Sequence, residues 1–338
     1  MNFAELQKVH KGAQLLWKNT HDSLLLGVED FALGEEDPKR YLSSVRNIFA
    51  GILLLFKCRI LADDPTGTRL SSKGICFFDD ATGALLNKIQ GTLNVKEIKA
   101  YFDNNSISIE LDHDYFNNIY RYRNDIEHAF DQTKIDVSVV KEYVAQSFLL
   151  VRSFSAKDLN IPFGMLFLGK YAELVTTIAD AFVGKKTECE TTFARLPWTD
   201  DKQKDVYLNY CCEKCGSNLI DAESNGDLLE FSSFRCKNCG HTWSFNELCK
   251  CVSADLGREN YIALKDGDVP PIAYCPSCSH ETYYTTENIC LYCGEQGPFR
   301  CSACDNEIPS EELSVYEDTK MCSWCVHSYE QFMEEDDE

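Results

Sequence analysis

The sequence lacks any apolar run long enough to cross a bilayer. Its longest, Ile48 to Phe56, spans nine residues, against the roughly 18 or more that a membrane helix needs. It is also short of positive charge, with 33 Lys+Arg against 54 Asp+Glu and a formal net of −21. That shortage excludes a broad, nonspecific nucleic-acid surface, whose sign is a strongly basic face, but leaves room for a small local RNA site. The acidity is uneven. Residues 1–190 carry 22 basic against 26 acidic side chains (22 − 26 = −4), and the remaining 148 residues carry 11 against 28 (11 − 28 = −17). A secretory leader, basic and then apolar, is missing from the start of the chain. The eighteen cysteines therefore read as thiols in a soluble, reducing, cytoplasmic setting rather than as a disulfide framework.

The first half has helical periodicity. Residues 2 to 31 place Phe3, Leu6, Val9, Ala13, Leu16, Trp17, Leu24, Leu25 and Val28 on one stripe, which predicts a long first helix. Gly34-Glu35-Glu36-Asp37-Pro38 breaks it, with Asp37 as an N-cap and Pro38 opening the next helix. That second helix, from about 39 to 62, is apolar nearly all round at its centre, as a central core or dimer helix would be. Residues 64 to 112 are irregular, punctuated by Gly67, Gly74, Gly83 and Gly91, with a strand-like alternation from Ser106 to Leu111. Helices near 135–158 and 162–183 complete an all-α bundle over residues 1–184.

The second half is organised by cysteine. Residues 185–206 read as a linker, 207–252 as a first zinc ribbon, 270–328 as two further zinc-binding modules and 329–338 as an acidic tail. The knuckles are Cys212/Cys215, Cys236/Cys239, Cys275/Cys278, Cys290/Cys293, Cys301/Cys304 and Cys322/Cys325, twelve thiols in all. Twelve thiolates satisfy three tetrahedral Cys₄ sites, so the sequence predicts about three structural zinc ions per chain and small β-rich modules around them. Spacers of 20, 11 and 17 residues favour pairing in sequence, while a cross-brace of Cys275/Cys278 with Cys301/Cys304 stays open. Redox chemistry is the rival reading of a lone C-x-x-C pair, but no thioredoxin-like βαβ pattern surrounds these. Cys58, Cys76, Cys189, Cys211, Cys249 and Cys251 are left over. Of these, Cys211 and the Cys249/Cys251 pair stand as substitute ligands, and the rest as small buried residues.

One stretch carries candidate chemistry: Tyr120-Arg121-Tyr122-Arg123-Asn124-Asp125-Ile126-Glu127-His128. On a helical wheel Tyr115, Ile119, Tyr122, Ile126, Ala129 and Phe130 form the apolar stripe. Asn124 and His128 stack nearly opposite it, and Arg123 stands at its edge, about 140° from His128. The plain reading is a surface His beside an Arg123–Glu127 helix pair. With the order of a long helix, an apolar helix, an irregular insert and then Arg123-Asn124-x-x-x-His128, residues 1–182 resemble the HEPN superfamily of helical ribonuclease-like domains. The resemblance implies a homodimer that brings two motifs together and a metal-independent endoribonuclease whose catalytic residues are Arg123, Asn124 and His128. RNA would be its substrate and the zinc ribbons would serve recognition or regulation. Many HEPN relatives act in toxin–antitoxin or antiphage defence. Two alternatives remain: a catalytically inactive HEPN-like dimerising module that binds RNA or protein, and a zinc-ribbon adaptor with a protein partner on its acidic half.

Overall fold

The computed structural model describes residues 3–86, 91–107, 116, 119–120, 122–124, 137–167, 170–266, 268–309, 312 and 321–335. The chain is a helical half followed by small antiparallel sheets, each built around a four-cysteine cluster. It divides into two compact units, Met1–Gly184 and Lys185–Glu338.

In the first unit, α1 (Phe3–Val9) and α2 (Lys11–Leu33) are separate helices where one was predicted. His10 makes the break. Its Nδ1 accepts the Ala13 N–H at 2.9 Å as the N-cap of α2, and its Nε2 donates to the Pro65 carbonyl at 2.9 Å. The imidazole thereby ties the first turn of α2 to the segment that follows α3, at Pro65. Next, α3 (Lys39–Asp63) begins at Lys39 with Pro38 at the N-cap position expected of Asp37, whose Oδ1 accepts the Lys39 N–H at 3.1 Å. Tyr41, Val45, Ile48, Ile52, Leu55, Phe56 and Ile60 of α3 are all buried within this single chain. Its apolar surface thus forms the core against α2 and α5 (Val137–Asp158). The two helices α2 and α3 approach closely, since a methyl on Gly51 would lie 2.6 Å from the Leu24 side chain. Between α3 and α5 in sequence, α4 (Val95–Asn104) starts on an Asn94/Glu97 capping box. Phe56 is the hub of the unit, meeting Phe102, Phe116 and Phe154 at ring-centroid distances of 5.2, 5.1 and 4.8 Å. Of the strand-like alternation at 106–111, residues 108–111 lie outside the described residues.

The last long helix, α6 (Lys170–Ala194), runs past the division after Gly184. Within residues 185–206, read as a linker, 185–194 and 201–206 are helical, and the segment supplies core. Phe193 and Leu196 are buried in a cluster with Tyr207, Ile220, Phe234, Trp243, Phe245, Leu248 and Leu291. Gln203 Nε2 and the Tyr207 hydroxyl, on either side of one turn of α7 (Asp201–Leu208), both donate to the Leu291 carbonyl at 2.9 Å. The strands β1 (Ile220–Glu223), β2 (Ser233–Cys236) and β3 (Thr242–Ser244) form the first antiparallel sheet. It leads into α8 (Phe245–Leu256), capped by Ser244 and Glu247, and then α9 (Asn260–Asp266). A second sheet holds β4 (Ile272–Tyr274), β5 (Glu281–Tyr284) and β6 (Ile289–Cys290), and a third holds β7 (Phe299–Arg300) and β8 (Glu307–Ile308). The helix α10 (Ser323–Glu335) follows. Among the described residues no helix is long and apolar enough to cross a membrane.

Candidate metal centres and the Arg-Asn motif

Each C-x-x-C turn is closed by its own backbone. The first cysteine's carbonyl accepts the N–H of the residue after the second, as in Gly216 to Cys212 at 2.7 Å and Gly240 to Cys236 at 2.9 Å. Ser279, Gly294 and Asp305 repeat the bond at 2.8, 3.0 and 2.9 Å. All five of these residues have a left-handed backbone, with φ between 53° and 76° across the positive-φ residues of this region. Such a turn aims both sulfurs at one point. The sixth knuckle, Cys322/Cys325, lies at the start of α10 instead.

The knuckles pair in sequence: Cys212, Cys215, Cys236 and Cys239; Cys275, Cys278, Cys290 and Cys293; Cys301, Cys304, Cys322 and Cys325. Within each set the four sulfurs lie within 4.8 Å of one another, which decides against the cross-brace. Zinc fits these clusters on geometry. Four sulfurs about 2.3 Å from a central ion stand roughly 3.8 Å apart along each tetrahedral edge. The observed edges are 3.7 Å for Cys212–Cys239, 3.6 Å for Cys215–Cys236, 3.8 Å for Cys275–Cys293, 3.7 Å for Cys278–Cys290 and 3.7 Å for Cys304–Cys322. A disulfide would draw a pair to about 2.0 Å. The clusters fit about three zinc ions per chain, each held by four thiolates. Four thiolates leave no open position, so these sites are structural.

Within each cluster the thiols share charge unequally, some held below an ordinary thiol and others, Cys212 and Cys275 among them, pushed above it by their neighbours. Hydrogen bonds from Cys212 and Cys215 hold the Cys236 sulfur far below an ordinary thiol, and bonds from Cys275, Cys278 and Cys293 do the same for Cys290. Against its own desolvation, Cys301 is drawn down to about 6 by the N–H groups of Cys322, Ala303 and Cys304. Burial instead pushes Cys58 and Cys249 up to about 12 and Cys189 up to about 11. These three are neutral thiols of the packed interior. Cys211 and Cys251 are half-buried, and none of the six spare cysteines belongs to a cluster.

Outer contacts brace the thiolates. The Cys322 N–H points at Cys301 Sγ at 3.3 Å, and Thr282 Oγ1 lies 3.3 Å from Cys290 Sγ. Inside the first knuckle, Glu213 accepts from the Trp243 indole at 3.2 Å and the Tyr210 hydroxyl at 2.9 Å, with His241 at 3.0 Å. Burial opposes its charge, but these partners and a backbone N–H hold the Glu213 carboxyl below its usual range. Such partners fix ligand orientation and tune the metal.

The knuckle glycines yield a contrast. A methyl on Gly294, at φ 73°, would meet the Thr199 Cβ at 2.3 Å. Gly294→Ala combines left-handed strain with overpacking and is expected to cost about 2–4 kcal/mol. Ser279, at φ 56°, already bears that strain, so Ser279→Gly is expected to gain up to about 1 kcal/mol. Urea denaturation of the zinc-loaded proteins measures both, and a stable Gly294→Ala variant would refute the clash.

In the helical unit the motif is placed in part. Residues 116, 119–120 and 122–124 are helical, while His128 lies outside the described residues, as do Tyr115, Ile126, Ala129 and Phe130. Ile119 is fully buried, and so nearly is Phe116, which the wheel stripe omitted. Phe116 and Tyr120 stack on Phe49 of α3 at 5.8 and 5.7 Å, and Tyr122 stacks on Tyr143 of α5 at 4.6 Å. The helix is thereby clamped to two core helices. Arg123 is half-buried, with its guanidinium 5.7 Å from the Phe49 ring centre, and its Nη1 donates to Asn124 Oδ1 at 2.9 Å. Arg123 and Asn124 are brought together. Comparison of the chain with protein-family models, curated proteins and solved structures returned no match to any of the three.

Proposed function

We propose that the chain is a metal-independent endoribonuclease of the HEPN type, with its zinc modules serving recognition or regulation. The observation that carries this reading is the Arg123–Asn124 pair, bonded at 2.9 Å on a helix whose aromatic neighbours fix it to α3 and α5. A guanidinium held over Phe49 keeps its charge and its planar donor fork, which suits a phosphate in transit to a phosphorane. In the reaction the 2′-oxygen of RNA attacks the adjacent phosphorus and the bond to the 5′-oxygen breaks. A base takes the 2′-hydroxyl proton, and an acid delivers one to the leaving 5′-oxygen. His128, as an imidazole able to give or take a proton, suits either role. In a homodimer through the helical unit, two copies of His128 would supply both.

The test uses zinc-loaded full-length protein in buffer freed of other divalent metals. RNA should be cut to products ending in a 2′,3′-cyclic phosphate or its hydrolysed form. An RNA with 2′-deoxy at the cut site should be inert. Equal cleavage of the deoxy substrate, or a strict need for added Mg²⁺, would overturn the 2′-hydroxyl mechanism.

A further inference from the structure

A cleft of about 340 Å³ opens in the acidic unit, Lys185–Glu338, and none of the twelve ligand cysteines lines it. Its floor is apolar, made by Val206 of α7 with Val252 and Leu256 of α8. The latter two are four apart and share a helix face. Its rim carries Asp205, Asp255 and Glu287. Among the described residues its one lining cation is Lys202, so their charge is 1 − 3 = −2.

That negative charge is poorly neutralised from within. Lys202 is occupied by Glu287, whose carboxylate lies at 3.6 Å and whose carbonyl accepts from Nζ at 3.3 Å. Asp255 meets Arg258 at 2.8 Å, but that arginine side chain is 74% exposed and the pair is screened by water. Asp205 forms no ion pair with a described residue. The surrounding unit holds 13 basic against 30 acidic residues (13 − 30 = −17), so its field reinforces the rim.

We propose that this cleft is the docking site for a basic, amphipathic segment of a partner protein. Apolar side chains or a lysine stem would lie on Val206, Val252 and Leu256, and the cationic head would reach Asp205 and Asp255. Long basic side chains combine those two needs in one group. Size agrees: at the low end of the roughly 300–1,000 Å³ of ligand pockets, the cleft takes one or two side chains rather than a large cofactor. Charge sign excludes an RNA backbone here. The inference is independent of the nuclease reading.

The test is fluorescence anisotropy of a labelled short peptide with lysines and leucines at helical spacing, titrated with full-length, zinc-loaded protein. Binding should weaken with rising salt, and Asp205→Asn combined with Asp255→Asn should weaken it about tenfold or more. Asp227→Asn combined with Glu281→Gln, exposed acids outside the cleft, should change it less than about twofold. Hydrogen exchange on the unaltered chain gives a second readout, with peptide protecting amides of 202–209 and 252–256. Failure of the wild-type chain to bind overturns the proposal. So does an equal loss in both double variants, which would mean diffuse acidity, or displacement of the peptide from the cleft by single-stranded RNA.

Discussion

Stripping zinc from the full chain is expected to unfold Lys185–Glu338 while the helices of Met1–Gly184 stay formed. The magnitudes decide this. A Cys₄ site contributes an apparent 10–16 kcal/mol or so to folding at neutral pH, about as much as the whole stability of an ordinary domain. The sheets it supports have three, three and two strands, and an isolated two-stranded hairpin is marginal in water. Loss should be graded. Of the nine buried residues in the core shared by the second and third modules, five are the ligands Cys275, Cys290, Cys301, Cys322 and Cys325. Without metal that core is mostly thiol. The first module also rests on Phe193, Tyr207, Phe234, Trp243, Phe245 and Leu248, so its structure should outlast the other two as chelator is raised. Elemental analysis should give about three zinc ions per chain, and Cys322→Ser about one fewer. Acid should act as chelator does, because protons compete with the metal for thiolates. One ion or none per reduced, purified chain would refute the assignment.

The metal centres were legible in the sequence because a C-x-x-C turn is a local device. Two intervening residues and a left-handed fifth position suffice, whether that position is Gly216, Ser279 or Asp305. Pairing was legible only as a preference, since spacers of 11 to 20 residues permit either closure, and the sulfur separations decide it. The division of the first helix escaped the periodic pattern, because its cause is distant: His10 is held by the Pro65 carbonyl, 55 residues on. The segment 185–206 reads as a linker in the sequence. Its apolar residues, Phe193 and Leu196, meet partners contributed by strands still to come, Phe234 among them. The apolar centre of α3 left core and dimer roles equally open, and only the packing of α2 and α5 on it assigns the core. The motif helix was legible as a helix. That Arg123 leans on Phe49 was not, because the wheel gives angles and not neighbours.

Under the nuclease proposal, Arg123→Ala is expected to slow RNA cleavage on the order of 10²-fold or more, the usual scale for removing a charge stabiliser. His128→Ala should lose a similar factor through proton transfer. The two differ in what else they disturb. Arg123 also lies 5.7 Å over Phe49, so its removal should lower stability by about 0.5–2 kcal/mol, the range of such contacts. A lost rate must therefore be read beside a melting curve. Arg123→Lys separates the effects, since lysine keeps the charge and its place over the ring but gives up the planar fork. If Arg123 serves only packing, the lysine variant should be fully active and alanine should fail only where it melts. If the guanidinium holds the phosphate, both variants should be slow at temperatures where both are folded, alanine more so. Asn124→Ala, which frees Arg123 Nη1 from its 2.9 Å bond, should fall between them. Full activity of folded Arg123→Ala would end the catalytic reading and leave the helical unit as a binding module.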